Sequence, residues 1–288
     1  MRSPPKDLPY QRSLELRDES GLELLGLTTN LLWHDDPGRL PTILARYRFV
    51  AKLLAERHDV GELGCADAFG TRIVLQDVRK ITVYDSNPIF IDDVRRRYSE
   101  EWPLDSHVHD IMKGPLPKPH DSIFSLDVID HISPDDEDTF VRHLRDSLSR
   151  DQDILIIGGN GYEEAQGLML SRTHRVGGPR PANQIDDPDP EGVTPTAMTV
   201  TTTPYDASGT GGVIKMPQYL REYVTDSATM NSASKSGLPI FPRTGAGMKA
   251  LLERYFYAVF MFSMVGEVIH AGLLPVAQYN FALCCGRK

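Results

Sequence analysis

The chain has 288 residues, 40% of them apolar, which is enough for one large domain or two small ones. A net charge of −9 argues against a protein built mainly to hold nucleic acid, because phosphate contact relies on clustered Lys and Arg. Three cysteines, two of them adjacent at Cys284 and Cys285, exclude a disulfide scaffold and suit a reducing, cytoplasmic setting. No apolar run approaches the ~20 residues of a membrane span, and Met1-Arg2-Ser3-Pro4-Pro5 has no apolar segment behind it to make a signal peptide.

In chain order, residues 1–20 read as polar and loosely held. Leu22 to Leu32 carries helical spacing, interrupted at Trp33-His34-Asp35-Asp36-Pro37. Asp36 before Pro37 reads as the N-cap of a second helix, which places Leu40, Ile43, Leu44, Tyr47, Val50, Ala51 and Leu54 on one face and leaves Arg39, Arg46, Arg48 and Lys52 elsewhere. Residues 1–58 thus form an N-terminal helical cap.

From residue 59 strand and helix alternate. Val60 to Leu63 is a buried strand that breaks at Gly64-Cys65-Ala66-Asp67-Ala68-Phe69-Gly70 into a helix. Ile81 to Asp85 is the next strand, followed by a helix with Ile91, Val94 and Tyr98 inward and Arg95-Arg96-Arg97 on a solvated face. A short strand ends at His109-Asp110, an apolar strand runs from Ser122 to Asp127, Ser133-Pro134 opens a helix, and Ile154 to Ile157 is stopped by Gly158-Gly159. Such β-α units indicate a parallel, doubly wound α/β sheet. Residues 59–161 form its cofactor-binding core.

Residues 162–232 lose the rhythm and read as an insertion. Tyr205, Met216, Tyr219, Leu220 and Tyr223 supply apolar material that suits a lid or an oligomer arm, which leaves a homodimer open. Residues 233–288 complete the core with a helix over 247–256 and strands at 258–264 and 279–285. The connection between those strands is too short for another crossover helix, so the last strand reads as antiparallel.

The chemistry gathers at strand ends. A dinucleotide turn needs G-x-G-x-x-G, but counting from Gly64 the second and third glycine positions hold Ala66 and Phe69. Glu62 would also sit badly beside a pyrophosphate. A carboxylate there suits a ligand carrying an ammonium and a sulfonium, such as S-adenosylmethionine. Asp85, with Ser86 beside it, would accept the ribose hydroxyls, and Asp110 with Ile111 would face the adenine edge.

The order E-x-G-C-x-D-x-F-G, an acid closing the second strand, His109-Asp110-Ile111 and then Ser125-Leu126-Asp127-Val128-Ile129-Asp130-His131-Ile132 resembles the class I S-adenosylmethionine-dependent methyltransferases. The last run is similar to the S-L-D-V-L-E-H-I of their small-molecule branch. The resemblance covers roughly residues 22–160 and 234–285. A bacterial group met with surface-glycan or natural-product clusters is closer still, but its S-K-x-G-H-V-N continues here as Ser234-Lys235-Ser236-Gly237-Leu238-Pro239-Ile240. Its F-S-M-N-D-E-V-V-H becomes Phe262-Ser263-Met264-Val265-Gly266-Glu267-Val268-Ile269-His270. The resemblance implies a seven-stranded, Rossmann-like sheet with its last strand antiparallel. It implies cofactor contacts at Glu62, Gly64, Asp85, Asp110 and Leu126, and a small-molecule acceptor.

Each further candidate has a plainer reading beside it. His131, and less so Asp130, could be the base for the acceptor; the plain alternative is a turn histidine bonded to backbone. His270, with Glu267, could reach the pocket from the loop between the last strands. Arg46 could pair with the cofactor carboxylate or be solvated. Trp33 could be a partial lid and Tyr47 a cation–π contact, though Tyr47 is more simply a core residue. Cys65 has no activating base. The spacing of Asp130, His131, Glu267 and His270 enforces no metal site. A nicotinamide oxidoreductase, a non-catalytic scaffold and a nucleic-acid methyltransferase are the rivals. The first lacks the second glycine, the second draws on the lost H-V-N and N-D-E, and the third lacks a basic stripe and an N/D-P-P-Y/F motif.

Overall fold

The fold is described from a computed structural model, covering residues 8–97, 99–161, 200–201, 213–214, 239–241 and 243–288. The helices are α1 (Leu8–Ser20), α2 (Leu27–Asp35), α3 (Arg39–Leu53), α4 (Thr71–Leu75), α5 (Pro88–Arg96), α6 (Glu137–Asp146) and α7 (Gly245–Leu252). The strands are β1 (Val60–Leu63), β2 (Ile81–Asp85), β3 (Asp105–Val108), β4 (Ser122–Leu126), β5 (Ile154–Asn160), the short pair β6 (Val200–Thr201) and β7 (Val213–Ile214), then β8 (Phe256–Val265), β9 (Val268–Ala271) and β10 (Tyr279–Arg287).

One sheet of eight strands runs in the order β3-β2-β1-β4-β5-β10-β8-β9. Strands β1 to β5 are mutually parallel, and β10 lies antiparallel between β5 and β8. The expected antiparallel last strand is therefore present. The count differs by one because Val265-Gly266-Glu267-Val268 is a two-residue hairpin turn, with Gly266 at φ 60°, and not part of an open loop. It adds β9 at the far edge.

Strands β1, β2 and β4 are buried along their whole length, as parallel strands covered on both faces must be. Period-2 alternation sends their side chains to two cores. Leu63, Tyr84, Ile123 and Ile157 pack with Phe140, Val141 and Leu144 of α6 and with Leu251 and Leu252 of α7. Val60, Val83, Phe124 and Ile156 pack with Val50 and Ala51 of α3, Val74 of α4, and Ile91 and Val94 of α5.

The N-terminal cap differs from its sequence expectation in three ways. Residues 8–20 are helical, exposed and carry a Gln11–Glu15 side-chain pair one turn apart. Trp33-His34-Asp35 belongs to α2, because no breaker occurs before Pro37. Asp36 ends α2, its N–H bonding the Leu32 carbonyl, while Gly38 stands at the start of α3. Arg97 is no solvated residue either: its guanidinium bonds Asp93 and the Asp67 carbonyl, tying α5 to the turn after β1. The insertion's proposed lid residues, Tyr98, and residues 233–238 lie outside the described residues.

Helix α2 is held to the core by one buried acid. Asp67 accepts from the Thr29 amide at 2.7 Å, the Thr29 hydroxyl at 3.2 Å and the Phe69 amide at 3.2 Å. Gly26 makes this approach possible, since a Cβ there would lie 2.3 Å from the Asp67 Cβ. Asp67→Ala leaves the Thr29 donors unpaired and is expected to cost about 1–3 kcal/mol in denaturant unfolding. Hydrogen exchange across 27–35 should accelerate in that variant, and unchanged protection would contradict this anchor.

Candidate functional site

The turn after β1 is the pivot of the site. Gly64, Ala66 and Ala68 all have positive φ, at 77°, 46° and 51°. Ala66 therefore adopts the conformation that a second glycine would take freely, at a cost on the order of 1 kcal/mol. Gly64 has no such latitude: a Cβ there would sit 2.0 Å from Cγ2 of Val128. This contact brings the turn against the segment leaving β4.

Asp85, at the end of β2, locks the turn from the other side. Its two oxygens accept from the Ala66 amide at 3.0 Å and the Asn87 amide at 2.8 Å. Burial raises its pKa, and these two amides work against that rise. Ser86 is exposed next to it. Asp110 caps the 3-10 turn at 111–113 by accepting from the Met112 amide, and Ile111 is buried beneath it.

Glu62 faces the α3 and α4 side and is 2% exposed. Its oxygens accept from the Tyr47 hydroxyl at 3.1 Å and the Thr71 hydroxyl at 2.6 Å. Burial drives its pKa up to about 8, opposed by the two hydroxyls and assisted by the nearby charges of Asp67 and Asp85. Tyr47 is thus both a core residue, edge-on to Phe124, and a partner of the site acid.

At the end of β4 the structure assembles a group that residue patterns alone do not reveal. Asp127 stands at φ 61°, with its amide shared between the Gly158 carbonyl at 2.9 Å and the Tyr279 hydroxyl at 3.2 Å. Its carboxylate takes both bonds from one Arg46 nitrogen at 2.9 Å, and the Arg46 guanidinium lies 3.8 Å over the Tyr279 ring centroid. The Arg46 side chain is only 12% exposed, and its Nε is buried without a partner among the described residues. Arg46 is held by charge and ring contact, not solvated. Asp127, Tyr279 and Thr71 were not among the sequence candidates. Asp127 alone left a signal, as an acid ending a buried strand like Glu62 and Asp85.

The remaining candidates divide. Asp130 is buried, and its Oδ2 accepts from the Asn160 amide at 3.0 Å and the Asn160 side chain at 2.6 Å, which clips the 129–131 turn to β5. Burial raises its pKa. Next to it, partly exposed His131 places Nδ1 2.9 Å from the Pro239 carbonyl. Leu126 is buried one residue before Asp127. Trp33 is exposed on α2. His270 is exposed on the edge strand β9, opposite Ser263 and four strand spacings from β4, on the order of 19 Å away at about 4.8 Å per strand. The structure therefore brings together Glu62, Gly64, Ala66, Asp85, Leu126, Arg46, Asp130 and His131 at the carboxyl ends of β1, β2 and β4, with Asp110 and Ile111 beyond β3. It leaves His270 apart.

The raised Glu62 pKa has a defined sign. Glu62 stays protonated in the folded chain between its unfolded value near 4.5 and about 8, while the unfolded chain ionises. Its contribution is fully present below pH 4.5 and is lost as pH rises to 8. Glu62→Gln should remove that part of the decline in thermal stability between pH 5 and 8. An identical slope in both proteins would refute the assignment.

No protein-family model matches the sequence, and no curated protein matches it. Solved structures do match by shape. An S-adenosylmethionine-dependent methyltransferase from Clostridium acetobutylicum superposes with a TM-score of 0.56 at 7% identity, over 91% of this chain and 98% of that one. Human N-acetylserotonin methyltransferase, solved with S-adenosylmethionine, gives 0.51 at 14% identity over 98% of this chain and 61% of that one. At such identities the match speaks to architecture: this chain has the Rossmann-like fold of the S-adenosylmethionine-dependent methyltransferases.

Proposed function

We propose that the chain is an enzyme that transfers a methyl group from S-adenosylmethionine to an oxygen or nitrogen of a small-molecule acceptor, such as a sugar or natural-product intermediate. The observation that carries this reading is the Arg46–Asp127 pair. It offers one fixed cation and one fixed anion, side by side, at the carboxyl end of β4 and against the left-handed turn at Gly64. A ligand ending in an amino acid presents the complementary carboxylate and ammonium. Asp127 takes only one nitrogen of the Arg46 guanidinium, whose charge suits the former, and half-exposed Asp127 keeps lone pairs for the latter.

The other donors fit the rest of such a ligand. Asp85, already oriented by two backbone amides, has acceptor capacity left for ribose hydroxyls. Asp110, with Ile111 buried beneath it, offers an acid to a base edge. A pyrophosphate, by contrast, would meet the carboxylates of Asp85 and Asp127, which disfavours a dinucleotide. The bound cofactor would supply an electrophilic methyl group on a sulfonium.

The protein's share of the chemistry is alignment and proton removal. Holding an acceptor in line supplies much of the acceleration in such a displacement. A hydroxyl acceptor must also lose a proton. A carbonyl only accepts, so the bond from His131 to Pro239 O requires the proton on Nδ1 and leaves Nε2 as the basic nitrogen. Nε2 has no partner among the described residues and would take the acceptor's proton.

Calorimetry is expected to show micromolar binding of S-adenosylmethionine and of its demethylated product, weakened roughly tenfold or more by Asp85→Ala. Absence of binding by either compound would end this reading. His131→Ala should lower kcat by about 100-fold on an oxygen acceptor with little change in cofactor affinity. Full turnover in that variant would remove His131 from the mechanism.

A further inference from the structure

The turn that carries His131 is gripped by a segment lying more than a hundred residues further along the chain. Pro239 O takes the His131 Nδ1 proton at 2.9 Å, and the Phe241 amide donates to the Asp130 carbonyl at 2.7 Å. Two residues on, Arg243 reaches across the same turn. Its Nη1 donates to the Ile129 carbonyl at 2.5 Å and the Phe241 carbonyl at 3.0 Å. Its Nη2 donates to the Ile132 carbonyl at 2.5 Å, and its Nε to Glu137 Oε1 at 2.8 Å.

We infer that Arg243 is the positioning residue of the site: its guanidinium brackets the 129–132 turn and so presets His131 as an Nδ1–H, Nε2-basic imidazole. This rests on the reading of His131 as the proton acceptor. Two features separate it from an ordinary surface ion pair. The Arg243 side chain is only 9% exposed, and most of its donors are spent on backbone carbonyls, one on each side of Asp130-His131. The Ile129 carbonyl also accepts from the Ile132 amide at 3.1 Å, so Arg243 closes a turn that is already hydrogen-bonded within itself and ties its far end, Ile132 O, to the same guanidinium. The Phe241 carbonyl, two residues from Pro239, is held by the same guanidinium nitrogen as Ile129, and the Phe241 amide bonds the Asp130 carbonyl, so the segment that carries the Pro239 carbonyl is tied to the turn that carries His131. The pair with Glu137, the first residue of α6, anchors the guanidinium itself.

The geometry demands an arginine fork. A lysine supplies the charge for Glu137 but, as a point donor, cannot span the Ile129 and Ile132 carbonyls at once. Arg243→Lys should therefore behave like Arg243→Ala at His131, whereas Glu137→Gln, which removes the charge pair and keeps the carbonyl contacts, should behave like wild type.

The test is a long-range proton–nitrogen correlation spectrum of imidazole-labelled protein, with His131 identified by its absence in His131→Asn. Wild-type His131 is expected to show one protonated nitrogen, Nδ1, and one unprotonated nitrogen, Nε2. Arg243→Ala and Arg243→Lys should show mixed tautomers. In parallel, kcat should fall about tenfold in both, with a displaced His131 limb in the pH profile and cofactor affinity within twofold of wild type. An Nε2–H or mixed tautomer in wild type overturns the proposal without any variant, as does a folded Arg243→Lys that keeps the wild-type tautomer and pH limb. Failure of wild type to bind S-adenosylmethionine would strike the methyl-transfer reading alone, because the tautomer measurement needs no turnover.

Discussion

The contact between Gly64 and Val128 is the constraint on which the site depends. These residues leave the carboxyl ends of adjacent parallel strands, β1 and β4, and meet so closely that no Cβ fits at residue 64. The turn must then curl in the left-handed region through Gly64, Ala66 and Ala68, and this conformation points the Ala66 amide at Asp85. The chain leaving β4 is pressed against the same point, so Asp127, paired with Arg46, stands beside the turn that Asp85 holds from β2. One steric contact thus gathers groups from three strands.

Polar groups sealed beneath this surface give it a fixed shape. Glu62 is bonded by Tyr47 and Thr71, Asp67 by Thr29 and Phe69, and Asp130 by Asn160. Each links the strand ends to a neighbouring element: α3 and α4 for Glu62, α2 for Asp67, β5 for Asp130. A buried carboxyl without partners would be strongly destabilising, so these bonds define where the elements sit. Arg46 and Asp127 differ, because Asp127 is half exposed and Arg46 retains a donor unpaired among the described residues. Their bonding capacity is not exhausted, which is the property a ligand site requires.

The sheet explains why candidate residues from one short stretch serve different ends. Along Asp127-Val128-Ile129-Asp130-His131, Asp127 meets Arg46, Val128 meets Gly64, Ile129 enters the core against α6, Asp130 turns under to β5 and His131 faces outward to Pro239. A run of residues that reads as one motif is resolved by a tight 3-10 turn into five separate jobs. Asp130 and His131 are adjacent in sequence, yet one is sealed and the other has a ring nitrogen with no partner among the described residues.

The residue pattern by itself determined the parallel core, because a strand buried on both faces reads as a near-continuous apolar run; Ile154 to Ile157 does so throughout, and Val60 to Leu63, Ile81 to Asp85 and Ser122 to Leu126 do so apart from Glu62, Thr82, Asp85, Ser122 and Ser125. It also determined the chain positions of Glu62, Gly64, Asp85 and Asp110, since turns and strand ends carry their own residue preferences. Tertiary structure alone decided the rest. Arg46 lies on a helix 81 residues before its partner Asp127, Tyr279 arrives from the last strand, and Arg243 reaches back to residues 129–132. These partners share no sequence period, so no local pattern connects them. The hairpin that carries His270 to the far edge turns on two residues, Gly266 and Glu267, whose effect depends on β8 having an open side to pair with. Short-range sterics are written in neighbouring residues; pairing across a sheet exists only once the sheet has formed.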